Sequence, residues 1–329
     1  MAPTSPSIEV ADLTKRYGEV EAVRGVSFAV EPGEVFGLLG PNGAGKSTTI
    51  NVLCTLVRPS GGRARVAGFD VAAEADAVRR RIGLVFQDPT LDLQLTAAQN
   101  LRLHADLYDL DRAVVDDRID EVLALVELGE RRDHRAMELS GGMRRRLEIA
   151  RGLLHAPEVL FLDEPTIGLD PQSRAAVWGY VRSLQAQEGT TVLMTTHYMD
   201  EAELCDRIAI VDRGEIVALG TPEALKASVG ADRVTLRTAD DVAAAAALRD
   251  RFGLEAAVAD GALAVHVADG EAFVPRLFAE LDVAITSVTV ARPTLDDVFL
   301  RYTGASLRDA DDAPGRVPNL MQVFSKAGR

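Results

Sequence analysis

An apolar run, EVFGLLG, gives way at Gly40 to GPNGAGKST (Gly40–Thr48). This constrains the chain more than any other stretch, because it fits the spacing GxxxxGK[ST] and is preceded by a strand pattern and followed by a helix pattern. Glycines there let backbone N–H groups turn inward on phosphates, and the start of the helix adds its partial positive charge. The expected nucleotide ligands are Gly40, Pro41, Asn42, Gly43, Ala44, Gly45, Lys46, Ser47 and Thr48. Lys46 is expected to reach the β and γ phosphates and to stabilise charge during hydrolysis, while the Ser47 hydroxyl holds Mg²⁺. A tight glycine turn that binds nothing is the alternative, and the strand-loop-helix context disfavours it.

The matching carboxylates stand at the end of VLFLDEP (Val159–Pro165). A buried strand of a parallel sheet delivers its last residues to the carboxyl edge, where the phosphate crevice lies. Asp163 fits a Mg²⁺ ligand and Glu164 a general base for the water that attacks the γ phosphate. Capping of the next turn would account for two adjacent acids in isolation, but less well beside a phosphate loop.

LSGGM (Leu139–Met143) poses a different problem. With no side chains to pack, Gly141 and Gly142 read as present for something other than burial. They leave bare amides at the start of a helix expected over Met143–His155, with Ser140 as N-cap and phosphate ligand. One nucleotide has little use for two such helix ends in one chain, unless the second serves the nucleotide of a neighbour. The run Arg144–Arg146 that follows is expected to support phosphate geometry or to solvate the helix.

Strand patterns at Arg81–Gln87, Val159–Asp163 and Thr191–Thr195 alternate with helical ones, so the core is an α/β fold with a mainly parallel sheet. Ile8–Val30 reads as a small antiparallel sheet, and Thr96–Leu128 as helical throughout, within a helical subdomain of about 96–155. From about Asp232 the order βαββαβ predicts a ferredoxin-like α+β domain, with Asp260-Gly261 turning its central hairpin and a last helix near Thr294–Tyr302. His266 on a strand pattern there reads as structural. The expected divisions are a nucleotide domain over 8–229, the accessory domain over 230–304, and a mobile tail over 305–329 rich in Asp, Ala, Pro and Gly.

A formal charge of −14 disfavours nucleic acid as a partner. Cys54 and Cys205 lie outside any disulfide or zinc spacing and read as small buried residues in a reducing cytoplasm. No stretch approaches the roughly 18 apolar residues needed to span a bilayer, and the N-terminus lacks the pattern of a secretion signal.

Taken together, the phosphate loop, the strand ending in Asp-Glu and the LSGG signature resemble the ATP-binding subunits of ABC transporters over Ile8 to about Val229. The resemblance implies ATP and Mg²⁺ as cofactors. It implies a head-to-tail homodimer in which Ser140, Gly141 and Gly142 of one copy face the ATP held by the other. It also implies that Tyr17 stacks on adenine, that Gln87 contacts Mg²⁺ and water and senses the membrane partner, that Asp170 lies in a loop crossing the dimer interface, and that His197 contacts the γ phosphate. Met143 departs from the family's usual glutamine, and a thioether cannot make the amide's hydrogen bonds. SGGMRRRLEIAR and LDDVFLRYTG narrow the resemblance to daunorubicin/doxorubicin-resistance exporter subunits. The implied role is an ATPase at the cytoplasmic face of the membrane that powers a separate permease for a drug, antibiotic or lipid-like compound. The competing reading is a soluble clamp on nucleic acid or ribosomes; such clamps carry paired heads or long coiled coils, which this sequence lacks. A metabolic kinase would leave the signature unexplained.

Overall fold

Alternating buried and exposed residues fold Ile8–Tyr17 (β1) and Val20–Val30 (β2) into an antiparallel pair, with Ile8 opposite Val30 and Tyr17 opposite Val20. Val35–Leu39 (β3) is buried at every position, as a central parallel strand must be, and leads through the glycine-rich loop into the helix Lys46–Leu53 (α1). Gly61–Val66 (β4) and Phe69–Asp70 (β5) return to the first sheet, whose order is β2-β1-β4-β5. Ala75–Arg79 (α2) precedes Ile82–Val85 (β6), so the strand is shorter than the expected Arg81–Gln87 and leaves Phe86 and Gln87 in the loop beyond it.

The helical stretch is also more broken than the sequence suggests. It contains Ala97–Leu107 (α3), Val115–Leu125 (α4) and Gly141–Leu153 (α5). Thr96 and Gln99 close a reciprocal cap at the start of α3: the Thr96 Oγ1 accepts from the Gln99 N–H and the Gln99 Oε1 from the Thr96 N–H. Helix α5 begins at Gly141, so both signature glycines lie in its first turn rather than ahead of it.

Val159–Asp163 (β7), Pro171–Glu188 (α6), Thr191–Thr196 (β8), Met199–Ala202 (α7), Arg207–Asp212 (β9) and Glu215–Gly220 (β10) complete the first unit. The central sheet runs β10-β9-β3-β8-β7-β6, parallel except where β10 pairs antiparallel with β9. Strands β9 and β10 lie beyond the strand patterns that the sequence displays. The core between the sheets includes stacked Phe28 and Phe36, with ring centroids 5.3 Å apart. Cys54 and Cys205 are buried and free, as expected.

The second unit begins at Thr221. Its elements are Pro222–Val229 (α8), Asp232–Thr238 (β11), Asp241–Phe252 (α9), Ala257–Ala259 (β12), Ala262–Val267 (β13), Gly270–Glu280 (α10), Ile285–Ala291 (β14) and Leu295–Thr303 (α11). The order β12-β13-β11-β14, antiparallel throughout, is the ferredoxin-like arrangement that βαββαβ predicts. Helix α8 belongs with this unit, although the sequence reading ended the first domain after it, because α8 packs on α11 and the Arg301 Nη1 donates to the Val229 carbonyl at 2.9 Å. His266 is exposed on β13, opposite Arg233 of β11. The computed structural model describes residues 5–259 and 262–303; the Asp260-Gly261 turn and the tail expected over 305–329 lie outside them.

A histidine pair in the first unit gives that unit a pH dependence. The Tyr108 ring lies 4.8 Å from His104 and 4.0 Å from His155, and the His155 Nε2 sits 2.8 Å from the Ile82 carbonyl. Burial pushes His104 down from 6.5 to about 4, helped by the charge of Arg151 and by His155, and burial lowers His155 as well. The unfolded chain therefore binds protons in a window where the folded chain does not. The stability that these two groups contribute is fully present above pH ~6.5 and is lost progressively as pH falls toward ~4. A series of thermal midpoints across that window should slope downward with acid, and His104→Phe should flatten the slope.

Candidate active site

The loop between β3 and α1 meets the acids at the end of β7, which in turn meet β8 and the loop after β6. Gly45, the residue before α1, has φ 104°, and a Cβ there would lie 2.4 Å from the Ala22 carbonyl oxygen. A side chain is excluded both by conformation and by space, so the loop backbone keeps its amides turned toward the cradle. Lys46 is buried, and its Nζ donates to the carbonyls of Gly40 at 2.6 Å and Pro41 at 3.0 Å. The same ammonium lies 3.7 Å from the Glu164 Oε1.

Strand β7 brings the two acids to the opposite wall. The Asp163 Oδ1 accepts from the Ser47 Oγ at 3.0 Å and from the Thr195 Oγ1 at 2.5 Å. The Glu164 Oε2 accepts from the Gln87 Nε2 at 3.1 Å, and the His197 Nδ1 lies 3.3 Å from the Glu164 Oε1. Glu164 also adopts φ 45°, a left-handed conformation uncommon for a residue with a Cβ. Its N–H is held by the Thr195 Oγ1 at 2.9 Å, so one hydroxyl of β8 fixes both acids. Strain of this kind persists where the surroundings over-determine a functional residue.

Burial acts upward on both carboxyls, and their unlike neighbours drive the two apart in acidity. Asp163 is raised above the usual aspartate range by desolvation, only partly offset by the hydrogen bonds from Thr195 and Ser47. At Glu164 burial also acts upward, but His197 and the Lys46 ammonium outweigh it and hold the carboxyl below the usual glutamate range. Adjacent acids with opposed shifts suit different tasks. Ser47 and Asp163 form a compact all-oxygen pair suited to a hard cation, and Glu164 is an ionised base.

The other residues singled out from sequence divide into two groups. Gln87 and His197 meet Glu164 directly. Tyr17, at the end of β1, is half-buried with the Lys15 ammonium 4.8 Å from its ring centroid. Ser140, Gly141, Gly142 and Asp170 make none of these contacts. The Ser140 Oγ caps α5 by accepting from the Met143 N–H at 3.2 Å. Asp170 caps α6, accepting from the Ser173 N–H at 3.0 Å and the Ser173 Oγ at 2.7 Å.

Gly142 corrects the notion that the signature glycines have no part in burial. It is buried, and a Cβ there would lie 2.4 Å from the Ser173 Oγ, whereas Gly141 faces open space. The signature turn and the start of α6 thus fit together only without a side chain at 142. Of the two roles expected for the arginine run, solvating the helix fails for Arg145 and Arg146. Arg146 is turned inward to the Val126 carbonyl at 3.2 Å and the Tyr180 hydroxyl at 3.0 Å, and Arg145 is buried among main-chain carbonyls. Neither solvates the helix.

Sequence reasoning missed Thr195, Arg145 and Glu201. Buried Glu201 accepts from the hydroxyls of Thr166 and Thr196, joining the segment after Glu164 to the strand before His197. Thr195 and Thr196 stand in VLMTTH, where strand alternation could have marked one of them as facing the acids.

Residues 23–167 match the ABC transporter family, and residues 220–303 match the C-terminal domain of DrrA1-3-like ATP-binding proteins. The daunorubicin resistance ATP-binding protein DrrA3 of Streptomyces coeruleorubidus is 46% identical over 94% of this chain and 98% of its own length. The chain belongs to the ABC transporter ATP-binding proteins. A Nod factor export ATP-binding protein I of Ralstonia nicotianae is 39% identical over 93% of this chain and 96% of its own length. In fold, the chain is similar to the dimeric structure of MJ0796, a bacterial ABC transporter cassette, at TM-score 0.60 and 30% identity over 65% of this chain and 98% of that one. This ABC protein is therefore a P-loop ATPase with a mainly parallel core, and it binds and hydrolyses ATP.

Proposed function

We propose that the chain is the ATP-hydrolysing motor of an exporter, paired with a separate membrane permease that moves a drug, antibiotic or lipid-like compound. The observation that carries the reaction is the Glu164 cluster: an ionised carboxylate held between Lys46, Gln87 and His197, beside a phosphate loop. The relatives that span nearly the whole chain carry names of drug resistance and of Nod factor export, which supports export as the work done.

The residues divide the reaction among them. The Gly40–Thr48 loop binds the phosphates through its amides, with Lys46 leaving the Gly40 and Pro41 carbonyls to neutralise the β and γ oxygens. Ser47 and Asp163 would hold Mg²⁺, with Gln87 nearby; the ion would supply charge neutralisation at the phosphate oxygens. The fit rests on the 3.0 Å contact between hard oxygen donors, and Mg²⁺ commonly keeps waters and phosphate oxygens as its remaining ligands. Glu164 accepts a proton from the attacking water, and His197 orients on the γ phosphate. Tyr17 stacks on the base.

The signature is what calls for a second copy. Its amides and Ser140 have no role in the Glu164 cluster of their own chain, so we assign them, with Asp170, to the ATP of a head-to-tail partner. The dimeric cassette with a similar fold supports that reading. Among the described residues no helix is long and apolar enough to cross a membrane, so a permease on another chain would supply the path and hold this subunit at the cytoplasmic face. The second unit is assigned as an accessory domain over the ferredoxin-like fold.

Affinity isolation of tagged Glu164→Gln chain from gently solubilised cells, with ATP and Mg²⁺, tests this function. A multi-span membrane protein should co-purify. Recovery of ribosomes or DNA-bound factors without one would replace the motor with the soluble clamp.

A further inference from the structure

Three side chains on one flank of α5 reach two separate catalytic segments. Arg145 is 7% exposed, so its five N–H donors call for acceptors within the protein. Its Nε donates to the Pro165 carbonyl at 2.6 Å, and its Nη2 lies 3.2 Å from the Asp163 carbonyl and 3.4 Å from that of Glu164. Its Nη1 donates to the Phe86 carbonyl at 2.5 Å and to the Glu148 Oε2 at 2.9 Å. Glu148, 2% exposed, uses its other oxygen to accept from the Thr90 N–H at 2.7 Å. Arg151 closes the same segment through the Thr90 carbonyl at 3.0 Å.

We propose that Arg145 and Glu148 are positioning residues for ATP hydrolysis: a buried ionic clasp that holds the Gln87 loop and the Glu164 backbone in one register and ties both to the signature helix. The proposal rests on the roles assigned above to Glu164 and Gln87. Its logic is geometric. Gln87 and Glu164 meet through a single 3.1 Å hydrogen bond, and each sits on a loop just past its strand, where regular sheet pairing no longer fixes the backbone. The guanidinium spans Phe86, one residue before Gln87, and Asp163 to Pro165, which bracket Glu164. Helix α5 begins at the signature, so the same clasp makes the helix end assigned to the partner's ATP continuous with the catalytic pair.

A buried ion pair is weak evidence for stability, since apolar residues of similar volume often replace one without loss. That property separates positioning from simple support. The planar fork of Arg145 cannot be reproduced by lysine, whose ammonium is a point charge. In the full chain, Arg145→Lys should leave ATP affinity within about threefold of wild type while kcat for hydrolysis falls by about tenfold or more, because small misplacements of reacting groups are costly. The double variant Arg145→Met/Glu148→Leu should recover thermal stability toward wild type yet keep the low kcat. Glu164→Gln is run alongside. If it hydrolyses ATP at the wild-type rate, the assignment of Glu164 is wrong and the proposal falls with it. If Glu164→Gln is inactive but Arg145→Lys or the double variant keeps kcat within about twofold of wild type, the clasp does not position the site. Recovery of kcat in step with stability in the double variant likewise overturns the proposal. Should either variant fail to fold, the other decides by the same kcat criterion.

Discussion

Glu164→Gln should bind ATP and stop hydrolysing it, with kcat falling by about 10²–10⁴, the range supplied by a positioned proton acceptor. The exchange is conservative in shape. Glutamine can occupy the φ 45° backbone no worse than glutamate, and its amide still meets Gln87. It removes the negative charge that His197 and Lys46 hold ionised, and with it the site for the water's proton. The proposed ground-state phosphate contacts are those of the Gly40–Thr48 loop and Lys46, so ATP affinity should change little. The proposed head-to-tail dimer, closed by ATP, should then stay closed. Phosphate release, equilibrium nucleotide binding and size-exclusion chromatography with ATP and Mg²⁺ check the three parts. Wild-type phosphate release would remove Glu164 from the role of base.

Lys46→Met should act on the other side of the ledger between binding and chemistry. Losing a charge-assisted contact to phosphate costs about 1.5–3 kcal/mol, about tenfold to hundredfold in ATP affinity. The thermal stabilisation that ATP gives the wild-type chain should shrink accordingly. A second consequence concerns Glu164. With the ammonium 3.7 Å away removed, one of the influences holding its carboxyl down is gone and desolvation acts with less opposition. A group with a depressed folded pKa contributes stability that is present above its unfolded value and lost as pH falls through the folded one. In the variant this contribution shrinks, so the nucleotide-free chain should be less stable than wild type at neutral pH and the difference should narrow in acid. Differential scanning fluorimetry at several pH values, with and without ATP, measures both effects. Undiminished stabilisation by ATP would show that Lys46 makes no effective phosphate contact.

Much of the site was legible because its chemistry is carried by short, contiguous runs. GPNGAGKST needs only the strand before it and the helix after it, and both are local patterns. VLFLDEP likewise announces a buried strand whose last residues emerge at the sheet edge, and β7 is buried throughout. The βαββαβ order of the second unit follows from periodicity and turn residues, and the observed sheet order agrees with it. The boundary after β10 was not legible, since nothing within PEALKASV says that it packs on a helix near the end of the chain.

Arg144–Arg146 marks where local reading stops. Three consecutive arginines are equivalent in composition, but a helix turns about 100° per residue, so they cannot share one face. Packing of α5 buries Arg145 against the carbonyls of β7 and the loop after β6 and turns Arg146 to Tyr180. Gly142 is similar: its absent side chain reads as a bare amide until α6 is seen 2.4 Å from where a Cβ would stand.

The phosphate loop, the two acids, the α/β class and the family follow from residue type at fixed short spacing, with no knowledge of which elements pack together. Which hydroxyl fixes the acids, which arginine is buried and which glycine is packed depend on long-range packing. Those are contacts between residues such as Thr195 and Asp163 or Gly142 and Ser173, 32 and 31 positions apart, and they exist only once strands and helices are laid side by side.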